Sequence, residues 1–196
     1  MKVRSETLLL PEGDKLAEVL VYTQSDVPSL INIYESWRNL CDNLDNLGSR
    51  MVNLPEGLSE VSFAIAKNMW RKKGSITGAN SSFDCYDPNG GRHNNRIQVK
   101  ACSVIPDLTS FGPKSEWDRI FFVDFYRQGL WDKTFDVYEI RTIDVENFPV
   151  NETQTLKDQK EQGRRPRFSI YTGLIEKGQY ISKETYKLTE EGIVKI

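Results

Sequence analysis

The chain has 196 residues, with 26 Lys+Arg against 28 Asp+Glu and a formal charge of −2. That length fits a single domain, residues 1–196, able to bury its own core, and 38% hydrophobic with 11% aromatic residues excludes a disordered chain. The balance of charge excludes a protein that coats DNA by general positive charge, and no apolar run has the length of a membrane span.

Met1 to Leu10 carries Arg4 and only a three-residue apolar patch, which is not the layout of a signal peptide. From Leu30 to Leu47, the apolar residues Leu30, Ile33, Trp37, Leu40, Leu44 and Leu47 recur alternately three and four apart. That spacing predicts an amphipathic helix, opened by Ser25 or Asp26 before Pro28 and ended by Gly48. The seam suits the core, and a second subunit is the other surface it could meet. A second helix is predicted from Pro55 to Lys72, with Asn53 as cap and Leu58, Val61, Ile65 and Met69 as its buried stripe.

The period then changes to two. Ser81–Tyr86 and Arg96–Ala101 alternate as strands do, and the turn formers Asp87 to Asn95 join them into a hairpin. Further strands are predicted at Arg119–Tyr126 and Phe135–Arg141, linked around Gly129. A helix over Asn151–Gln162 and a short strand, Phe168–Tyr171, follow. Together these predict a mixed α/β (α+β) domain, a central mixed sheet flanked by helices. Cys41, Cys85 and Cys102 form an odd set with no CxxC spacing, so they read as free thiols of a reducing cytoplasm. No phosphate-cradling glycine motif is present, and a nucleotide cofactor is not expected.

The hairpin carries the chemistry. Strand alternation puts Gln98 and Lys100 on one face and Ile97 and Val99 on the other. It likewise puts Asp84 and Tyr86 opposite Phe83 and Cys85. If the hairpin is centred near Gly91, Asp84 lies across from Gln98. A carboxylate and an amide oxygen can hold Mg²⁺, and a lysine beside them can orient or help deprotonate an attacking water. Such a site suits phosphodiester hydrolysis.

Asp84 followed by Gln98-Val99-Lys100, behind the acid-bearing helix segment Leu54–Glu60, resembles the PD-(D/E)xK nucleases in their QxK form. The stretch Asp107–Asp118 resembles the small type II restriction enzymes that cut GCNGC. The resemblance implies a restriction-endonuclease-like core and a Mg²⁺-dependent endonuclease that cuts double-stranded DNA to leave 5′-phosphate ends. It implies Asp84 as principal metal ligand, Gln98 in the place of the second acid, Glu60 as the extra acid and Lys100 beside the attacking water. Phe83 stands where the family often has proline. Two-fold DNA sites are matched by two-fold proteins, so a homodimer is expected. A repair or structure-specific nuclease of the same core, or a DNA-binding module without catalysis, are the other readings.

Other residues compete for these roles. Glu56, one turn before Glu60, is an alternative helix acid; Asp87 rivals Asp84 but reads as a turn former before Pro88. Pro106-Asp107 with Glu139-Ile140-Arg141 mimics the motif at the wrong spacing. His93 is the chain's one histidine, too few for a histidine-based metal cluster. For DNA contact, Arg164, Arg165 and Arg167 form the densest basic cluster, with Asn94, Asn95 and Arg96 on the hairpin as further candidates. Arg71-Lys72-Lys73 is read as the end of a helix, where cations complement the dipole, with the DNA backbone as its equal alternative contact.

Overall fold

The computed structural model describes residues 1–196. In chain order the strands and helices are β1 (Lys2–Leu10), β2 (Gly13–Val21), α1 (Val27–Asn46), α2 (Glu56–Ala66), β3 (Trp70–Lys72), β4 (Cys85–Tyr86), β5 (Arg96–Cys102) and β6 (Thr109–Ser110). There follow β7 (Arg119–Asp124), β8 (Thr134–Ile140), α3 (Thr142–Glu146), α4 (Leu156–Glu161), β9 (Arg167–Phe168), α5 (Ile170–Gly173), β10 (Ser182–Thr189) and β11 (Gly192–Lys195). Nine strands form one sheet in the order β1-β2-β3-β4-β5-β7-β8-β10-β11, and β6 and β9 make a small second ladder. Only β5 and β7 run parallel, with Gln98 level with Ile120 and Lys100 level with Phe122; every other pairing is antiparallel.

Strand β7 carries an unbroken apolar run, Ile120–Val123, because both of its faces are covered. On β7, Phe121 and Val123 join a core shared with α1 and α2, while Ile120 and Phe122 join a second core beneath α4 and α5. β8 divides in the same way, Phe135 and Val137 to the first core, Tyr138 and Ile140 to the second. This is the mixed sheet flanked by helices that the pattern of elements predicts.

Several expectations need correction. The first helix runs Val27–Asn46, but its buried stripe is Val27, Leu30, Ile31, Tyr34, Trp37 and Cys41; Ile33, Leu40 and Leu47 are left in solvent. The second helix stops at Ala66 and not at Lys72, and Pro55, with extended backbone, stands at its cap position instead of Asn53. Trp70–Lys72 is strand β3, since β2 and β4 both offer it a ladder, so Arg71 and Lys72 are not helix-end cations. Helix α4 covers only Leu156–Glu161, because a capping box between Thr155 and Asp158 sets its start. Phe168–Tyr171 splits: Arg167–Phe168 pair with β6, and the chain turns into α5 at Ile170. The hairpins β1–β2 and β10–β11 add strands at both edges of the sheet beyond those expected. The outer half of β1 is exposed on both faces, so it lacks the alternation that would mark it.

Candidate active site

The β4–β5 hairpin has the register expected of it, with Cys85 opposite Ile97 and Tyr86 opposite Arg96. The predicted strand Ser81–Tyr86 is shorter than expected, because the chain joins the ladder only at Asp84. Its amide bonds the Ile97 carbonyl at 3.0 Å, but no strand precedes it to pair with the rest of β5. The Asp84 carboxylate takes over, accepting the Val99 N–H at 2.8 Å and the Gln98 side-chain N–H. The same late start breaks the expected alternation. Phe83 and Tyr86 pack together under the N-terminal hairpin, while Cys85 enters the α1–α2 core.

Before the start of β4, at Asp84, lies a cleft of about 490 Å³. Asp84, Glu60, Glu56 and Lys100 all line it, so topology brings together residues from α2, the hairpin and β5. Gln98 is absent from the lining. It is only 3% exposed, and its amide donates to Asp84, a contact that orients the carboxylate in place of the oxygen-ligand role expected of it. Glu60 pairs through Oε2 with Arg71, which β3 brings alongside α2. Glu56 is exposed at the first turn of α2.

The electrostatics of the pair are strained. Burial, then the charge of Glu60, push Asp84 up to about 6, against the opposing pull of Lys100 and the Val99 N–H. Glu60 is also raised: burial outweighs the Arg71 guanidinium beside it. Two partly desolvated carboxylates facing one cleft repel each other, and a cation between them would relieve that. No group of three or more His, Cys, Asp or Glu side chains converges on one point. The donor set is therefore two carboxylates, hard oxygens of the kind that suits Mg²⁺, which keeps several of its own waters. These residues fit that ion.

The opposite wall of the cleft is Asp107, Leu108, Thr109 and Ser110. Asp107 has its carboxylate taken up within the fold. It is 5% exposed and accepts from Thr109 Oγ1, Ser169 Oγ and the Ile170 and Tyr171 amides, bracing this wall against the start of α5. In sequence Asp107 belongs only to a motif of the wrong spacing, and the residues it braces lie some sixty positions away. The signal available was Ser169 ahead of a short helix, a cap that could share an acid. Arg71 and Lys72 were also missed as neighbours of the site. Lys72 lies close enough to Asp84 and Glu60 for both to favour its charge, though burial depresses it more.

The basic residues divide sharply. Arg164, Arg165 and Arg167 are exposed, and Arg167 lies across the ladder from Ser110, on the rim of the cleft. Arg96, by contrast, is 8% exposed and locked to Asp118 at 2.9 Å and Glu116 at 3.1 Å, so its guanidinium fork is taken. Asn95 is buried, its amide donating to the Leu9 carbonyl. Asn94 and His93 are exposed on a turn whose Arg92 is bound to the N-terminal hairpin. Asp87 is a turn residue, accepting the Asn89 amide and pairing with Arg119, and Glu139 pairs with the same arginine.

The mixed sheet with helices on both faces is compatible with a restriction-endonuclease-like core. Sequence comparison makes the class specific. The model of the family described as Bsp6I restriction endonuclease matches residues 22–177. The chain is 31% identical over 169 residues to the type II restriction enzyme Bsp6I of Bacillus sp. (strain RFL6), which spans 85% of this chain and 90% of that protein. No solved structure matches. The chain belongs to the Bsp6I restriction endonuclease family, and it is a restriction endonuclease by class. The β1–β2 hairpin lies wholly outside the matched segment. No helix is long and apolar enough to cross a membrane.

Proposed function

We propose that this chain is one nuclease domain of PD-(D/E)xK type in its QxK form, acting in the cytoplasm as a Mg²⁺-dependent type II endonuclease on double-stranded DNA. The observation that carries this reading is the meeting of Asp84, Glu60 and Lys100 in one cleft from separate parts of the chain. Mg²⁺, held by Asp84 and Glu60, would supply the positive charge that offsets the scissile phosphate. The remaining steps belong to the side chains. Gln98 and the Val99 N–H hold the Asp84 carboxylate in place, and Arg71 holds Glu60 against α2. Lys100 orients the attacking water for in-line displacement, leaving a 5′-phosphate and a 3′-hydroxyl. Arg164, Arg165 and Arg167 engage the phosphate backbone or guanine edges beside the cleft, with Asn94 as an outlying contact. A homodimer would place one such cleft on each strand of a two-fold site. GCNGC is the first site to test, from the resemblance of Asp107–Asp118.

Incubating the protein with plasmid DNA and Mg²⁺ and sequencing the ends tests this. Discrete fragments sharing one terminal sequence are expected. Random nicking, or cutting confined to branched DNA, would favour a repair or structure-specific nuclease. DNA retention without cleavage, unchanged by Lys100→Ala, would mean a binding module only.

Two further outcomes follow from the geometry. Glu60→Ala should lose most cleavage even at saturating Mg²⁺, and near-wild-type cleavage would remove Glu60 from the metal site. Replacing Arg164, Arg165 and Arg167 together by alanine should weaken DNA binding and flatten its salt dependence, lowering the slope of log K against log salt by about 1 to 3. An unchanged slope would place the backbone contacts elsewhere.

A further inference from the structure

We propose that the outward face of α1 is a two-fold interface on which a second copy of this chain docks, helix against antiparallel helix, with Leu40 on the axis. This names a surface for the homodimer in the preceding reading and rests on that reading only for its biological purpose. Ile33, Leu40 and Leu47 are 43%, 48% and 79% exposed. At seven-residue spacing they form one stripe along the helix, set beside the buried stripe and not part of it.

The surroundings of the stripe are as informative as the stripe. The chain is 28% charged, yet the exposed arc next to these residues carries Asn32, Ser36, Asn39 and Asn43 and no charge. Every charged residue of α1 (Glu35, Arg38, Asp42, Asp45) lies on the far flank. There Glu35 pairs with Lys133 at 2.6 Å, and Arg38 lies 4.0 Å from the Trp131 ring centre. Loss of charge with retained Leu and Ile is the composition of an interface centre. Beside the stripe runs a groove of about 540 Å³, lined by Ile33, Ser36, Leu40, Val52, Pro55 and their neighbours, again with no charged side chain.

Duplex DNA does not suit this face, because a phosphate backbone needs cations and the arc has none. A second copy suits it, since one molecule carries both halves of the contact. The groove lies at the Ile33–Leu40 end, and the most protruding apolar side chain, Leu47, lies at the other. Seven residues of helix separate Leu40 from Leu47, about 10 Å. A two-fold axis at Leu40 therefore sets Ile33 against the partner's Leu47, and the reverse, as an isologous contact requires.

Sedimentation of the full chain should show a dimer, and Leu40→Glu should weaken it by about 100-fold or more, as two like charges would meet at an apolar centre. Leu40→Lys should do the same, and mixing the two variants should restore association. Leu40→Cys should form a disulfide-linked dimer on mild oxidation, against a low background, because Cys41, Cys85 and Cys102 are all buried. Circular dichroism of each variant checks that the fold is intact. A monomeric wild type overturns the proposal, as does a dimer that persists in Leu40→Glu with no cross-link in Leu40→Cys. A wild-type dimer that Leu40→Glu breaks, but that itself leaves plasmid DNA uncut with Mg²⁺, upholds the interface and overturns the Mg²⁺-dependent reading instead.

Discussion

Lys100→Ala is expected to lower Mg²⁺-dependent cleavage by about 10³-fold while leaving DNA retention close to wild type. Lys100 is half-buried in the cleft with Asp84 and Glu60, and its Nζ lies 5.6 Å from the Phe111 ring centre, on the side of the braced wall. Lys100 makes no ion pair in the fold, unlike Arg71, Arg96 and Arg119, so its loss should fall on the reaction and not on stability. The arginine variants should show the reverse pattern, weaker binding with the chemistry intact once DNA is saturating. Measuring single-turnover cleavage and filter retention on the same preparations separates the two. Cleavage within about tenfold of wild type in Lys100→Ala would take the lysine out of the reaction.

Asp84→Asn should abolish cleavage and yet make the protein more stable. A carboxyl group normally near 3.8 is held at about 6 in the fold, so its charged form is disfavoured there. Between those values the folded state holds the proton more tightly than the unfolded chain. Stability therefore falls as pH rises from about 4 to about 6, and the full penalty is present above 6. Removing the charge should return on the order of 1–3 kcal/mol at pH 8, a rise in Tm of roughly 2–10 °C. Mg²⁺ should raise the Tm of the wild type and not that of Asp84→Asn, narrowing the gap between them. A variant less stable than wild type at pH 8 without Mg²⁺ would mean that Asp84 serves the fold through its charge. An identical Mg²⁺ response in both proteins would place the cation elsewhere.

Much of the central sheet was legible because its signals are local. Arg96–Ala101, Arg119–Tyr126 and Phe135–Arg141 match β5, β7 and β8 to within two residues at either end, since alternation and apolar runs report burial directly. The turn formers between Asp87 and Asn95 likewise set the hairpin register that places Asp84 beside Gln98 of β5. The segment after Ala66 misled for a physical reason. Met69 continues the helical spacing and is buried, but it is buried on the way into a strand whose partners are distant in sequence. Arg96 misled for another: an arginine in a basic, polar turn looks free until Asp118 and Glu116, some twenty residues away, close on it.

The opening balance of charge shows the same division. Residue types and their spacing determined by themselves that the chain folds around a mixed sheet, and that an acid, an amide and a lysine share one hairpin. They also determined that the arginines outnumber their local acids around Gly163. Which of 26 cations are free and which of 28 acids face a cleft was decided only by tertiary structure. Ion pairing and desolvation depend on groups brought together from distant parts of the chain, as Arg71 is to Glu60 and Ser169 to Asp107. The outward face of α1 belongs to that second kind: a single heptad seam in the sequence became two stripes, one buried and one bare, once the sheet had claimed its side of the helix.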